Sequence, residues 1–118
     1  MQNHKSYTVL APILQKYPRA AGSLFQTYND IVYAQQWSDV DLVQLDSISR
    51  AAISGKRPNT DATVYVVPCS LAETLSFDWL QQAFAQLQDP QEIFLAITSD
   101  DASLVYYKLS RGMVKPQL

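Results

Sequence analysis

The first third of the chain has the hydrophobic spacing of a helix that is interrupted once. Four apolar residues share one helical face before Pro18, and apolar residues recur after it at positions 24, 25, 28, 31 and 32. Such spacing is typical of an amphipathic α-helix, and a proline inside a helix removes a backbone hydrogen bond. The pattern therefore predicts a helical segment over residues 7–36 that is broken at Pro18.

The middle of the chain follows a different pattern. Residues 37–45 interleave apolar side chains with serine, aspartate and glutamine, which favours a half-buried strand. Residues 46–61 lose this period and collect glycine, proline and asparagine, so we expect a loop with a short strand inside. Residues 63–67 are mostly β-branched or aromatic, and they predict a short strand that ends at Pro68.

The remaining residues predict a helix followed by two adjacent strands. Ser76 has the position of an N-cap, and apolar residues at 77, 80, 84 and 87 follow it until Asp89-Pro90 ends the helix. Two apolar runs, residues 93–97 and 104–109, flank a short acidic turn and predict a β-hairpin. The order of elements predicts an α+β (mixed α/β) fold, in which helices pack on a small mixed β-sheet.

Length and composition set the organisation of the chain. With 118 residues and 47% hydrophobic residues, it can form one domain with a real core, which we assign to residues 1–118 with a helical part over 7–36 and a core over 37–116. No run approaches the roughly 20 apolar residues that cross a bilayer, so membrane insertion is not expected. A single cysteine, Cys69, excludes an intramolecular disulfide, and we expect a reducing, intracellular compartment.

The charges are separated along the chain. Residues 58–107 contain seven acids and no lysine, arginine or histidine, whereas the remainder carries nine basic residues and four acids, so the two portions are −7 and +5. A field of one sign steers association with a surface of the opposite sign. The acidic half therefore favours a basic macromolecular partner, with an ordinary solvated acidic surface as the open alternative.

Few residues offer catalytic chemistry. His4, the single histidine, lies in a polar terminus, and Cys69 has no candidate base near it and is expected to be a buried, inert thiol. Zinc sites need several cysteines or histidines, and three scattered glycines do not compose a phosphate-binding loop. The sequence thus predicts no catalytic residue, no metal and no cofactor.

Three alternatives remain open from the residues alone. Glu92, Asp100 and Asp101 are candidates for a magnesium-dependent nuclease, although their region supplies no cation for charge developing on phosphorus. Lys56 and Arg57 are candidates for a weak contact with RNA phosphates. A self-associating β-module with no connection to RNA is the third interpretation.

Four segments resemble a known family. Residues 94–109, followed by Gly112 to Pro116, are similar to the C-terminal strand pair of tRNA-splicing endonuclease subunits, and most similar to the small accessory subunit of the Sen-fifteen type. Further similar segments are Tyr33 to Trp37, Gly55 to Pro58, and Val67-Pro68 followed by Glu73 to Ser76. The resemblance extends over about residues 31–116.

The resemblance implies a subunit of a heterotetrameric endonuclease that excises introns from precursor tRNA, with a fold like the catalytic domain of tRNA-intron endonucleases. Catalytic relatives use a tyrosine, a histidine and a lysine. This sequence has residues 59–62 where the histidine is expected and Gln91 and Glu92 where the lysine is expected. The resemblance therefore implies a structural, non-catalytic subunit. By the same resemblance we expect it in the nucleus, with the mitochondrial surface as a variant in some relatives.

The resemblance also assigns site residues. The acidic turn, Asp100 and Asp101, is similar to a loop that inserts into a basic cleft of an opposing subunit. The last strand is similar to one that pairs edge to edge with a neighbouring subunit, so the hairpin would lie at the interface. The implied partners are a catalytic subunit and the other endonuclease subunits, with precursor tRNA bound only through the complex, and a homodimer is possible for the isolated chain. The interface residues are Leu104, Val105, Tyr106, Tyr107, Leu109, Met113 and Val114.

Overall fold

The computed structural model describes residues 5–71, 73, 76–101 and 103–114. His4 and the end of the predicted core, residues 115 and 116, lie outside these residues, and for Met113 and Val114 only the backbone is described. No helix within the described part of the chain is long and apolar enough to cross a membrane.

A five-stranded mixed sheet with helices on both faces forms the fold, which confirms the predicted class. The strands lie in the order β1-β2-β3-β4-β5, and every neighbouring pair is antiparallel except β3 and β4, which are parallel and are joined through helix α3. The strands are β1 (Ser38–Leu45), β2 (Arg50–Lys56), β3 (Thr63–Ser70), β4 (Glu92–Thr98) and β5 (Leu104–Ser110). The helices are α1 (Lys5–Lys16), α2 (Ala21–Asn29), α3 (Phe77–Gln86) and the short α4 (Arg111–Val114).

The N-terminal helical segment is broken where the sequence predicts it. Helix α1 ends at Lys16, a 3-10 turn spans Pro18–Ala20, and α2 begins directly after it. Helix α2 ends in a wider π-type turn over Asp30–Ala34, in which the Gln35 N–H donates to the Asp30 carbonyl at 2.8 Å. The predicted N-cap of α3 is also confirmed, because the Ser76 Oγ accepts a hydrogen bond from the Trp79 N–H at 3.1 Å.

Strand β2 confirms the strand expected inside residues 46–61 and the loop after it, but the strand is longer than expected. It is a seven-residue strand paired on both sides, and Ala51, Ala52 and Ile53 are fully buried. A Cβ added at Gly55 would lie 3.2 Å from side-chain carbons of Trp37 and Val40. The small residues that suggest a loop in sequence instead allow close packing in the middle of the sheet.

Strand β3 continues past Pro68 to Ser70, so the predicted strand end at Pro68 is wrong. The ladder between β2 and β3 ends at the Ile53–Val66 pair, whereas the ladder between β3 and β4 runs on to Ser70. The Pro68 carbonyl points to the β2 side, where it accepts from Arg50 Nη1 at 2.9 Å. The N–H that proline lacks would point to this same side, where the ladder with β2 has already ended. Pro68 therefore removes no hydrogen bond from the sheet.

Each face of the sheet has its own core. Helices α1 and α2 bury one face around Leu10, Ile31 and Val66, and α3 buries the other around Phe84 and Cys69. Cys69 is buried as predicted, and desolvation raises the pKa of its thiol to about 11. A thiol that stays protonated is a poor nucleophile, which agrees with an inert structural role.

A buried arginine joins β2 to the segment that leads into α3. The Arg50 side chain is 8% exposed, donates to the Ile48 and Pro68 carbonyls and to both carboxylate oxygens of Glu73, and lies 4.9 Å from the centroid of the Trp79 ring. Burial by itself would raise the pKa of Glu73, but the hydrogen bonds from Arg50 and from the Ser70 N–H outweigh it and hold that pKa below its usual value. The pair therefore satisfies both charges inside the chain.

Candidate assembly surface

The last strand leaves one edge of the sheet open. Strand β5 pairs with β4 along its whole length, from the Thr98–Leu104 pair to the Glu92–Ser110 pair, and no strand of the described chain lies on its other side. Strand β1 forms the opposite edge, but its pairing is irregular between Ser38 and Asp41, and Asp39 has a positive φ of 52°. Bulges and charges block edge pairing, so β5 is the edge that can accept another strand.

Three of the residues assigned to a partner pack at least partly within the chain itself. Leu104 and Tyr106 pack against the core under α1 and α2, and Leu109 packs against the core under α3. The Tyr106 hydroxyl donates to Asp30 Oδ2 at 2.6 Å, and burial, followed by this hydrogen bond, raises the pKa of the phenol. Because alternate residues of a strand point to opposite faces, and helices cover both faces, these side chains are partly used by the fold.

An exposed apolar patch lies where α3 does not cover the sheet. Val105 is 47% exposed and Tyr107 is 53% exposed, on the same face as the half-buried Ile97. Leu71, which is 68% exposed, follows β3 directly and donates its N–H to the Thr98 carbonyl at 2.8 Å. Val105 and Tyr107 together form what we call the β5 patch. Leu71 is a further exposed apolar residue just after β3, and sequence analysis missed it because one apolar residue after a strand carries no periodic signal.

The two aspartates of the acidic turn are exposed but differ in what they do. Asp101 Oδ1 accepts from the Ser99 hydroxyl at 2.7 Å and from the Ser103 N–H at 3.0 Å. The hydrogen bonds from Ser99 and Ser103 lower the pKa of Asp101 to about 2. Asp100 makes no hydrogen bond or ion pair within the described part of the chain. Asp101 therefore shapes the turn, whereas Asp100 is available to a partner.

The structure does not bring together the three carboxylates of the nuclease alternative. Glu92 begins β4 and pairs with Lys108 at 3.0 Å, whereas Asp100 and Asp101 follow the far end of the same strand, about 20 Å away at the usual rise per residue. No group of three potential metal-ligating side chains occurs among the described residues. The proposed magnesium site is therefore wrong in its geometry.

The positions where the resemblance expects a catalytic histidine and a catalytic lysine lie around the same pocket. Ala62, Gln91 and Glu92 line one pocket of about 200 Å³ at the start of β3 and β4. The other side chains around it are Thr63, Val64, Pro90 and Phe94. None of these lining residues carries an imidazole or an amine, so the pocket itself offers no base of the kind that the catalytic relatives use.

The two residues predicted to contact RNA are both engaged within the chain. Lys56 Nζ lies 3.3 Å from Asp39 Oδ2, and the Arg57 guanidinium lies 4.4 Å from the centroid of the Phe94 ring and 5.7 Å from that of Trp37. Arg57 remains exposed, so its outer donors can still reach a phosphate. The arrangement allows the predicted contact without requiring it.

The described residues define an α+β protein with an open edge strand, an exposed apolar patch beside that edge and a charged turn at its end. A family model described as Sen15 protein matches residues 26–118. The chain belongs to the Sen15 family, which confirms the resemblance stated from the sequence.

Named relatives come from fungi and mammals. The tRNA-splicing endonuclease subunit SEN15 of Eremothecium gossypii is 36% identical over 101 residues, which cover 75% of this chain and 84% of that protein. The probable tRNA-splicing endonuclease subunit sen15 of Schizosaccharomyces pombe is 27% identical, over 81% of this chain and 82% of its own length. The Homo sapiens subunit Sen15 is 28% identical, over 78% of this chain and 58% of its own length.

Proposed function

We propose that the chain is a non-catalytic structural subunit of a tRNA-splicing endonuclease, and that it assembles with a catalytic subunit through β5 and the acidic turn. The observation that carries the proposal is the β5 patch beside an unpaired strand edge. A strand added to β5 gains main-chain hydrogen bonds along its length, and side chains on its patch-facing side bury Val105 and Tyr107.

The pocket at the start of β3 and β4 supports the non-catalytic role. Relatives that cut RNA use a tyrosine, a histidine and a lysine, and the positions expected for the latter two here are lined by Ala62, Gln91 and Glu92. General acid–base catalysis of phosphodiester cleavage needs groups that exchange a proton, and these lining residues include no imidazole. The two cations beside the pocket, Lys108 and Arg57, are held against Glu92 and the Phe94 ring. Bond breaking would therefore belong to other chains of the complex.

The acidic turn supports assembly with a basic cleft. Asp100 is exposed and has no partner among the described residues, so it can form a charge-assisted hydrogen bond with a lysine or arginine of the opposing subunit. Asp101 holds the turn in shape for this contact. The enzyme would be a heterotetramer in which precursor tRNA is bound through the complex, with Arg57 and Lys56 as secondary contacts, and the nucleus is the proposed location.

Co-purification with a catalytic subunit of the same cell tests the proposal. Tyr107→Glu places a charge in the β5 patch, and we expect at least about tenfold weaker binding with an unchanged circular dichroism spectrum. Tyr33→Glu is the matched control, because Tyr33 is 47% exposed on the helical layer, and it should leave binding unchanged. Equal binding by Tyr107→Glu and the unmodified chain would refute the proposed interface.

The same edge favours a homodimer when the partner is absent. An open antiparallel edge can pair with a second copy of itself about a two-fold axis. Sedimentation of the isolated chain should then show a dimer that Tyr107→Glu converts to a monomer, whereas a dimer that survives this change would use another surface.

A further inference from the structure

A polar pocket lies at the carboxyl ends of the two parallel strands, beside the acidic turn. It has a volume of about 290 Å³, and its lining includes Arg19 from the 3-10 turn before α2 and Asp100 from the turn after β4. Crevices at the carboxyl ends of parallel strands are common binding positions in sheets with helices on both faces. The pocket thus lies at the end of the sheet that carries Asp100, on the face covered by α2, whereas Val105 and Tyr107 lie on the α3 face.

The floor of the pocket is uncharged and already satisfied. The Ser23 and Thr98 hydroxyls, each in a residue that is 7% exposed, are 2.9 Å apart, and the Thr98 hydroxyl also donates to the Cys69 carbonyl at 3.3 Å. These two hydroxyls therefore need no bound ion to complete their hydrogen bonds. The charges of the pocket are confined to its rim, where Arg19 and Asp100 are exposed.

Arg19 is distinctive among the basic residues whose side chains the structure describes. Lys16, Lys56 and Lys108 form ion pairs with Asp46, Asp39 and Glu92, and Arg50 is buried against Glu73. Arg19 has no ion pair, hydrogen bond or ring contact in the described part of the chain, and the first turn of α2 beside it contains no acid. Arg19 and Asp100 also form no ion pair with each other, although both line this pocket.

We propose that this pocket is a second, dipolar contact with the partner subunit, in which Arg19 binds an acidic side chain and Asp100 a basic side chain of the same partner. The inference rests on the proposed assembly and extends it from the edge strand to the start of α2. Opposite charges at defined positions fix the register of two surfaces and reject partners with the reversed arrangement. An RNA backbone offers phosphates alone and would meet repulsion from Asp100 on the same rim.

Charge reversal in the purified complex tests this contact. Arg19→Glu should weaken binding to the catalytic subunit about tenfold, and Arg19→Gln should weaken it less, because repulsion is added only by the glutamate. Gln86→Glu places a glutamate at the exposed end of α3, on the other face of the sheet, and should leave binding within about twofold. Because Arg19 is exposed and unpaired, circular dichroism of each variant should match the unmodified chain.

The outcomes separate this inference from the proposed function. If Asp100→Lys and Tyr107→Glu weaken binding while Arg19→Glu does not, the dipolar contact is refuted and the assembly role stands. If none of the three changes binding, the assembly role fails as well. If Arg19→Glu leaves assembly intact but lowers binding of precursor tRNA by the assembled enzyme, Arg19 contacts RNA and the inference is overturned.

Discussion

Two groups of charged side chains are used by this fold in opposite ways. Arg50 and Glu73 join β2 to the segment before α3, and every contact that they make lies within the chain. Arg19 and Asp100 lie on the rim of a surface pocket and make no ion pair within the described residues. The first group is satisfied inside the fold, and the second is exposed to solvent, where we propose that it contacts a partner.

The difference follows from the cost of desolvation. A charge that is removed from water must find its partner within the fold, or it destabilises the native state by several kcal/mol. A charge that stays hydrated can remain unpaired at no cost until a partner arrives. The net charge of a sequence segment therefore describes the surface of the protein only after the charges that are paired within the fold have been subtracted.

The largest effect is expected from breaking the internal pair. Arg50→Met removes every hydrogen bond to the Glu73 carboxylate except that from the Ser70 N–H, and we expect the free energy of unfolding to fall by about 3 kcal/mol. Urea denaturation of the isolated chain measures it. The double variant with Glu73→Met should recover part of the loss, because no uncompensated charge remains. A loss below about 0.5 kcal/mol would contradict a structural role for the pair.

Lowering the pH should also reveal the contribution of the Arg50–Glu73 pair to stability. Because the pKa of Glu73 is held below its usual value of 4.5 in the folded chain, the stability that its ionised form contributes is present above that pH and is lost as the pH falls further. In Arg50→Met this acid-dependent part should be much reduced. A variant that loses stability with acid as steeply as the unmodified chain would show that other carboxylates control the transition.

Local signals in the sequence predict the local parts of this fold. The N-cap at Ser76, the helix break at Pro18 and the hairpin around residues 99–103 each depend on neighbouring residues, and the structure contains all three. Arg50 gives no such signal, because Glu73 lies 23 residues away in sequence. The strand end predicted at Pro68 is wrong for a related reason. Whether a proline ends a strand depends on where the neighbouring hydrogen-bond ladder ends, which is a property of the sheet and not of nearby residues.

The candidate site shows the same limit. The charge of the acidic turn and the open last strand follow from the sequence and the family resemblance. The distinction between Asp100 and Asp101 depends on which carboxylate the Ser99 and Ser103 groups reach. Serines two residues before and after Asp101 are a local pattern that favours such a turn, so this distinction was available in principle. Arg19 could not be found, because its pocket is formed by elements far apart in the chain.

A smaller effect is expected from Asp101, whose carboxylate is used within the turn. Asp101→Asn weakens the acceptor for Ser99 and Ser103, so the thermal midpoint of the isolated chain at pH 7 should fall, but by less than in Arg50→Met. The hydrogen bonds from Ser99 and Ser103 lower the pKa of Asp101 from 3.8 to about 2, so the stability of the ionised form is present above about pH 4 and is lost as the pH falls to 2. The midpoints of the two proteins should therefore converge near pH 2, and a constant difference would exclude a role for the carboxylate charge.

The smallest effect on folding is expected from Asp100, and it provides the sharpest comparison within one turn. Asp100→Asn removes the same charge as Asp101→Asn one residue away, yet the thermal midpoint should stay unchanged because Asp100 has no partner among the described residues. Its effect should instead be on association with the catalytic subunit, which should slow, and the difference from the unmodified chain should shrink as salt is added because exposed charges are screened. If Asp100→Asn lowers the midpoint as much as Asp101→Asn does, the two aspartates serve the turn equally. The acidic turn would then have no carboxylate reserved for a partner.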